Sequence, residues 1–291
     1  MLIGAISYLL RGMKIPVFFL LFVFSSSTFA VGQEVTGFRE EVYSKDEAVL
    51  KMRIYEPKGE SVQDARPAIV FFFGGGWRNG TPKQFHTHCE VLKEHGFVAM
   101  TAEYRIKSKH DSTPLDSFED AKSAIRWVRD NAERLGVDPG KIAAGGGSAG
   151  GHLAAATAVC ESKHRTETSD TPDAVVAFNP ALNLLFERVQ EKWGEEVYAT
   201  LEAISPLQNL NKMDHPPMII FHGEADSIVP FETAAAYVAR AEEIGVTPVP
   251  ELVGYEGRDH GFFNYGRGDG KDYEDTVDRM LGFFRDLDWI E

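Results

Sequence analysis

From Ala68 onward the chain alternates between two kinds of apolar pattern. Ala68–Phe73 is a continuous, β-rich apolar run of the kind buried on both faces of a sheet. Lys83–His95 predicts a helix and Phe97–Tyr104 a strand. The clearest helix follows, with Phe118, Ala121, Ala124, Ile125, Val128, Ala132 and Leu135 at helical spacing. Asp116 or Ser117 is placed to cap it, and Gly136 lies just past its end. Asp138-Pro139-Gly140 turns into a strand at Lys141–Ala144, and Gly150–Val159 predicts a helix. Ala174–Phe178, Met218–Phe221 and Val249–Val253 predict strands, with helices at Glu232–Ile244 and Tyr273–Leu287 after the last two. Earlier, Glu41–Tyr43 and Val49–Tyr55 alternate and predict an antiparallel opening. Strand and helix in alternation imply an α/β fold, a mostly parallel sheet with helices on both faces. Ligands of such sheets bind beyond the carboxyl ends of the strands. Leu182–Lys212 interrupts the alternation with a helical tendency and predicts a small cap over that region.

The first 30 residues differ from the rest. Arg11 and Lys14 precede the apolar run Ile15–Phe24, and the small residues Ser25–Thr28 follow, then Phe29 and Ala30. That order predicts a secretory signal cut after Ala30, opened from either Met1 or Met13. The apolar run is too short for a membrane span, which needs about 20 residues, so no stable anchor is expected. Residues 31–291 then form a single domain. The whole chain carries a net charge of −14, and loss of Arg11 and Lys14 takes it to −16. Such acidity argues against nucleic acid and anionic membrane surfaces as partners. Cys89 and Cys160 make neither a disulfide framework nor a zinc motif, and predict two buried free thiols in helices. No metal-ligand cluster is seen, and no cofactor is expected.

Gly146-Gly147-Ser148-Ala149-Gly150 is a GxSxG between a strand and a helix. A sharp strand-to-helix turn holds such a serine in a strained conformation, and neighbouring side chains would collide, hence the glycines. A glycine-rich phosphate loop of the GxxxxGK[ST] kind would want a lysine, which Gly145-Gly146-Gly147 lacks, and the chain lacks a Walker-type partner. A serine hydroxyl needs a base. His260 alone among the histidines falls after the last strand and before the last helix, between Gly257 and Gly261. His152, one turn past Ser148, reads as helix packing. The acid that orients the histidine should end a strand between the two. Asp226, after Met218–Phe221, is the choice; Glu224 is the alternative, nearer the strand end, and Asp259 adjoins His260. Gly74-Gly75-Gly76-Trp77 follows Phe73 at the end of a strand, where backbone N–H groups can face a developing oxyanion. Gly75, Gly76 and Ala149 are the expected donors, with Trp77 as a pocket wall that narrows the acyl side.

These motifs resemble the α/β-hydrolase esterases with an HGGGW loop, including hormone-sensitive-lipase-like carboxylesterases and bacterial feruloyl and acetyl xylan esterases. The matching pieces are GGGW at 74–77, EYR at 103–105, DAKSAIRWVR at 120–129, GGSAGGHLA at 146–154, HGEAD at 222–226 and DHGF at 259–262. The resemblance implies a serine carboxylesterase, which the signal-like first 30 residues would export, acting on short acyl esters of a small molecule or a carbohydrate, such as acetylated or feruloylated polysaccharide. It implies that Arg105 and Asp120 form a structural ion pair behind the site. A prolyl-oligopeptidase-like peptidase and an inactive hydrolase fold used for binding are the alternatives. No propeller or clear acidic clamp supports the former, and the complete Ser, Asp, His set opposes the latter. The chain departs from the family at Phe73, where the loop normally begins with His. A phenyl ring can only pack, so the loop is expected to rest on hydrophobic contacts or to be looser.

Overall fold

The structure is a computed structural model that describes residues 37–58, 65–164, 166–211 and 215–291. The expected signal segment, residues 1–30 with its cut after Ala30, lies outside the described residues. Eight strands form one sheet: β1 (Arg39–Ser44), β2 (Leu50–Tyr55), β3 (Arg66–Phe72), β4 (Val98–Ala102), β5 (Val137–Gly147), β6 (Ala174–Phe178), β7 (Met218–Gly223) and β8 (Glu251–Tyr255). Their order is β1-β2-β4-β3-β5-β6-β7-β8. The β1–β2 and β2–β4 pairs are antiparallel, and every pair from β4 to β8 is parallel.

Side-chain alternation along the strands builds two cores, one on each face. Ala68, Val70 and Phe72 of β3 face one way, Ile69 and Phe71 the other, and all are buried. The first face packs α2 (Pro114–Asp130), α3 (Ala149–Val159) and α4 (Phe231–Ile244). The second packs α1 (His86–Glu94) and α5 (Lys271–Asp286), whose stripe Tyr273, Val277, Met280, Leu281 and Phe284 is buried as its spacing predicts.

The boundaries bring several corrections. Thr113, not Asp116 or Ser117, caps α2: its hydroxyl oxygen accepts from the Asp116 N–H, and Asp116 returns to the Thr113 N–H, a capping box around Pro114. Neither proposed cap could serve, because both already lie inside the first turn. The helix does not run unbroken to Leu135. It ends at Asn131, and a short turn, Ala132–Leu135, closes on the left-handed Gly136. The first turn of the expected Lys83–His95 helix is 3-10, at Pro82–Phe85. Cys89 and Cys160 are buried and free, with Cys160 one residue beyond α3 rather than inside it.

The expected cap segment holds short helices at Glu187–Trp193, Glu195–Tyr198 and Pro206–Asn209, with a 3-10 turn at Leu201–Ile204. Its ends belong to the core, where Leu182, Leu184, Leu201 and Ile204 are buried. Among the described residues, no helix is long and apolar enough to cross a membrane, and no group of His, Cys, Asp or Glu is placed to hold a metal ion.

Candidate active site

Ser148 stands between β5 and α3 with φ 57° and ψ −118°, a conformation disfavoured for a residue with a Cβ. Two hydrogen bonds hold the turn: the Ser148 N–H donates to the Phe178 carbonyl at 2.8 Å, and its own carbonyl accepts from the His152 N–H at 2.9 Å. The glycines are needed because backbone crowds them. A Cβ on Gly146 would run into the Gly150 carbonyl, and one on Gly150 into the carbonyls of Phe72 and Phe73. Ser148 is thereby raised into a cavity of about 610 Å³ that His260 also lines.

His260 lies in the loop after β8, and its Nδ1–H donates to Oδ2 of Asp226 at 2.7 Å. That bond leaves Nε2 as the unprotonated nitrogen, the state a base requires. Asp226 follows β7, its carboxyl fully buried. Oδ1 accepts from the N–H groups of Ile228 at 2.9 Å and Val229 at 2.8 Å, and Oδ2 also accepts from Asn179 Nδ2 at 3.2 Å. Burial by itself would raise this carboxyl's pKa. The bonds from His222, His260 and the Val229 N–H outweigh it and hold the group well below the usual carboxylate range. Glu224, the alternative acid, is exposed and turned to the Gly254 side of the turn. Asp259 is a loop fastener: its Oδ1 accepts from Ser227 N–H and Oγ–H and from the His260 N–H. His152 packs as expected. Its Nδ1 accepts from Trp77 Nε1 at 3.3 Å, so Nε2 carries the proton, donated to the Ile204 carbonyl at 2.8 Å. Burial drives its pKa down to about 4.

The glycine loop lies opposite. Gly75 and Gly76 have φ of 128° and 60° and line the same cavity as Ala149. Among the described residues, nothing accepts from the N–H groups of these three, which are therefore open to an oxyanion. Phe73 is held without an imidazole. Its ring stacks on Tyr104 with centroids 4.2 Å apart, and the Tyr104 hydroxyl donates to the Phe73 carbonyl at 2.6 Å. Such a stack is worth about 0.5–1.5 kcal/mol beyond area burial. Gln84 adds a third tie, accepting from the Gly74 N–H at 2.6 Å and donating to Asn264 Oδ1 at 2.9 Å. Packing does carry the loop, and two hydrogen bonds make it firm. Trp77 reaches the cavity wall, yet it is only 4% exposed, so most of the indole serves the Phe73–His152 core. Arg105 and Asp120 form the expected ion pair: Arg105 Nε donates to Asp120 at 2.9–3.0 Å and the Arg105 N–H at 2.8 Å.

Sequence reasoning missed the residues that join these parts. Asn179, at φ 44° directly after β6, bonds Asp226 and accepts from the Gly261 N–H at 3.2 Å, so it ties the acid's loop to the base's. Its position at a strand's carboxyl end, before Pro180, is a signal that could have found it. Gln84, Lys192 and Arg267 carry no such signal.

Residues 52–240 match the BD-FAE family. The esterase LipC of Mycobacterium tuberculosis is 29% identical over 245 residues, covering 77% of this chain and 59% of LipC. The carboxylesterase NlhH of the same species is 34% identical over 113 residues, covering 38% of this chain and 33% of NlhH. This chain thus spans less than two thirds of the length of LipC and about a third of that of NlhH. The propionate-bound structure of Est2, a thermophilic esterase from the planctomycete Thermogutta terrifontis, is 44% identical at a TM-score of 0.81, covering 89% of this chain and 97% of that one. The same enzyme phosphorylated by paraoxon gives 44% identity and a TM-score of 0.79, covering 87% of this chain and 95% of that one. With the mostly parallel sheet, the serine elbow and the residues gathered at its carboxyl edge, these matches show that the chain belongs to the BD-FAE family and has the α/β-hydrolase fold.

Proposed function

We propose that this protein is an exported serine carboxylesterase that cleaves short acyl esters. The observation that carries the reading is the Asp226–His260 bond at 2.7 Å, beside a strained Ser148 in the same cavity. His260 Nε2 takes the Ser148 proton as the oxygen attacks the ester carbonyl. The N–H groups of Gly75, Gly76 and Ala149 stabilise the oxyanion. His260 then returns the proton to the leaving alcohol, and water releases the acid from the acyl-enzyme by the same steps. Asp226 holds the imidazole tautomer and its cation throughout. Phe186, Val189 and Lys192 line the cavity from the inserted segment, which supports reading it as a cap.

The cavity of about 610 Å³ suits a small ester rather than a long acyl tunnel. The Thermogutta enzyme, whose structures are described as propionate and butyrate bound, supports the same size. The charged, apolar and small-residue order of residues 1–30 supports export after cleavage at Ala30. Export would place the enzyme among acetylated or feruloylated polysaccharides, the natural substrates we put forward. Paraoxon tests the reading: wild type should be inactivated with one phosphoryl group on Ser148, and Ser148→Ala should be neither labelled nor active. Labelling elsewhere, with Ser148→Ala still active, would overturn it.

A further inference from the structure

We infer that the preferred substrate carries an anionic group on its alcohol portion, read by Lys192 and Arg267; this rests on the esterase reading above. The chain is strongly acidic, with 44 Asp and Glu against 30 Lys and Arg. The cavity inverts that balance. Lys192 and Arg267 line it, and among the described residues no Asp or Glu does. Lys192 Nζ occupies the place a Gly76 Cβ would take, with Cε 3.3 Å from that point, directly over the oxyanion loop. Arg267 stands on the other flank, its Nη2 3.8 Å from the Cβ position of Gly261, beside His260. Neither cation has a carboxylate within salt-bridge reach among the described residues. Burial and then Arg78 lower the Lys192 pKa.

Two further cations lie next to the Lys192 segment. The Arg78 guanidinium lies 5.7 Å and the Lys107 ammonium 5.3 Å from the Trp193 ring that follows Lys192, and Arg78 Nη1 donates to the Lys192 carbonyl at 3.4 Å. Cations without a carboxylate partner among the described residues, gathered in a cavity of an acidic protein, favour anionic guests, because the ligand supplies a counter-charge. Arg267 adjoins the histidine that hands a proton to the leaving alcohol, so the charge belongs on the alcohol side. A carboxylate on an acylated hydroxy acid or uronate fits this requirement.

A matched pair with one acyl group tests it: 4-acetoxybenzoate, anionic, against 4-acetoxybenzamide, neutral. Lys192→Gln and Arg267→Gln should each lower the anionic-to-neutral ratio of kcat/KM about tenfold, the scale of one partly solvated charge contact. Lys192→Arg should keep the ratio. In wild type, raising NaCl from about 0.05 to about 0.5 M should lower the same ratio, since screening then acts within roughly 4 Å. Equal losses on both esters, or a ratio that neither substitution nor salt moves, would overturn the inference while leaving the esterase intact. Hydrolysis of the amide-bearing ester that survives Ser148→Ala would instead bring down the esterase reading itself.

Discussion

Replacing Asp226 by Asn tests the site at its most constrained point. The side chain keeps its size, and its environment decides the consequence. Asp226 accepts on both oxygens: Oδ1 from two backbone N–H groups at 2.8 and 2.9 Å, Oδ2 from His260 at 2.7 Å and Asn179 at 3.2 Å. Asparagine offers one acceptor and one donor. The cheaper orientation keeps its oxygen on the two short backbone bonds, so its NH2 meets Nδ1–H of His260. The imidazole must then move its proton to Nε2, where it can no longer accept from Ser148. Loss of the correct tautomer costs about 10⁴-fold in kcat, or about 5.5 kcal/mol at about 1.4 kcal/mol per tenfold. KM should hold, because Asp226 lies beneath the cavity and does not line it. The Asn179 amide also loses its acceptor, a stability cost of about 1–3 kcal/mol. Steady-state hydrolysis of p-nitrophenyl butyrate and a thermal melt read both quantities, with Glu224→Gln as the exposed control expected to change kcat little. A folded Asp226→Asn enzyme within tenfold of wild type, or an equal loss in Glu224→Gln, would refute the reasoning.

Burial pushes His88 down to about 3 and His152 down to about 4, and lowers His215. Above about pH 4.5 the His88 and His152 imidazoles take a proton only on unfolding, so their contribution is whole above about pH 6.5 and falls with pH by up to about 1.4 kcal/mol per unit each. Tm should drop between about pH 6.5 and 4.5, and His88→Leu should flatten that slope; a Tm constant over this window counts against it. Gly150→Ala should destabilise by about 1–3 kcal/mol or more and abolish activity, since its Cβ meets the Phe72 and Phe73 carbonyls at the elbow; a stable, active variant would contradict that packing. Rates on p-nitrophenyl esters should be highest from acetate to butyrate, without activation at an oil–water boundary, and a steady rise toward palmitate would make this a lipase.

Periodicity and local motif determined much of this protein. The doubly buried run at Ala68–Phe73, the helical spacing from Phe118 to Val128 and the stripe on Tyr273–Phe284 each reappear as an element with the expected face inward. These patterns are legible because a strand or helix repeats every few residues. The GxSxG pattern of the serine elbow is equally local, although its glycines answer crowding both from the next turn, Gly150 upon Gly146, and from the distant strand end at Phe72 and Phe73 upon Gly150. The acid was half legible: chain order confined it to the loop after β7, where Glu224 and Asp226 stand two residues apart. Only the turn's three-dimensional course, which exposes the first and aims the N–H groups of Ile228 and Val229 at the second, separates them. The substitute for the missing loop histidine was not legible at all. Tyr104 lies 31 residues from Phe73, and Gln84 reaches Asn264 across 180. Nor could spacing single out Lys192 and Arg267 among 30 basic residues as the two that share a wall with Ser148. Contacts at such separations leave no period in the sequence; packing of the sheet against its helices alone brings them together.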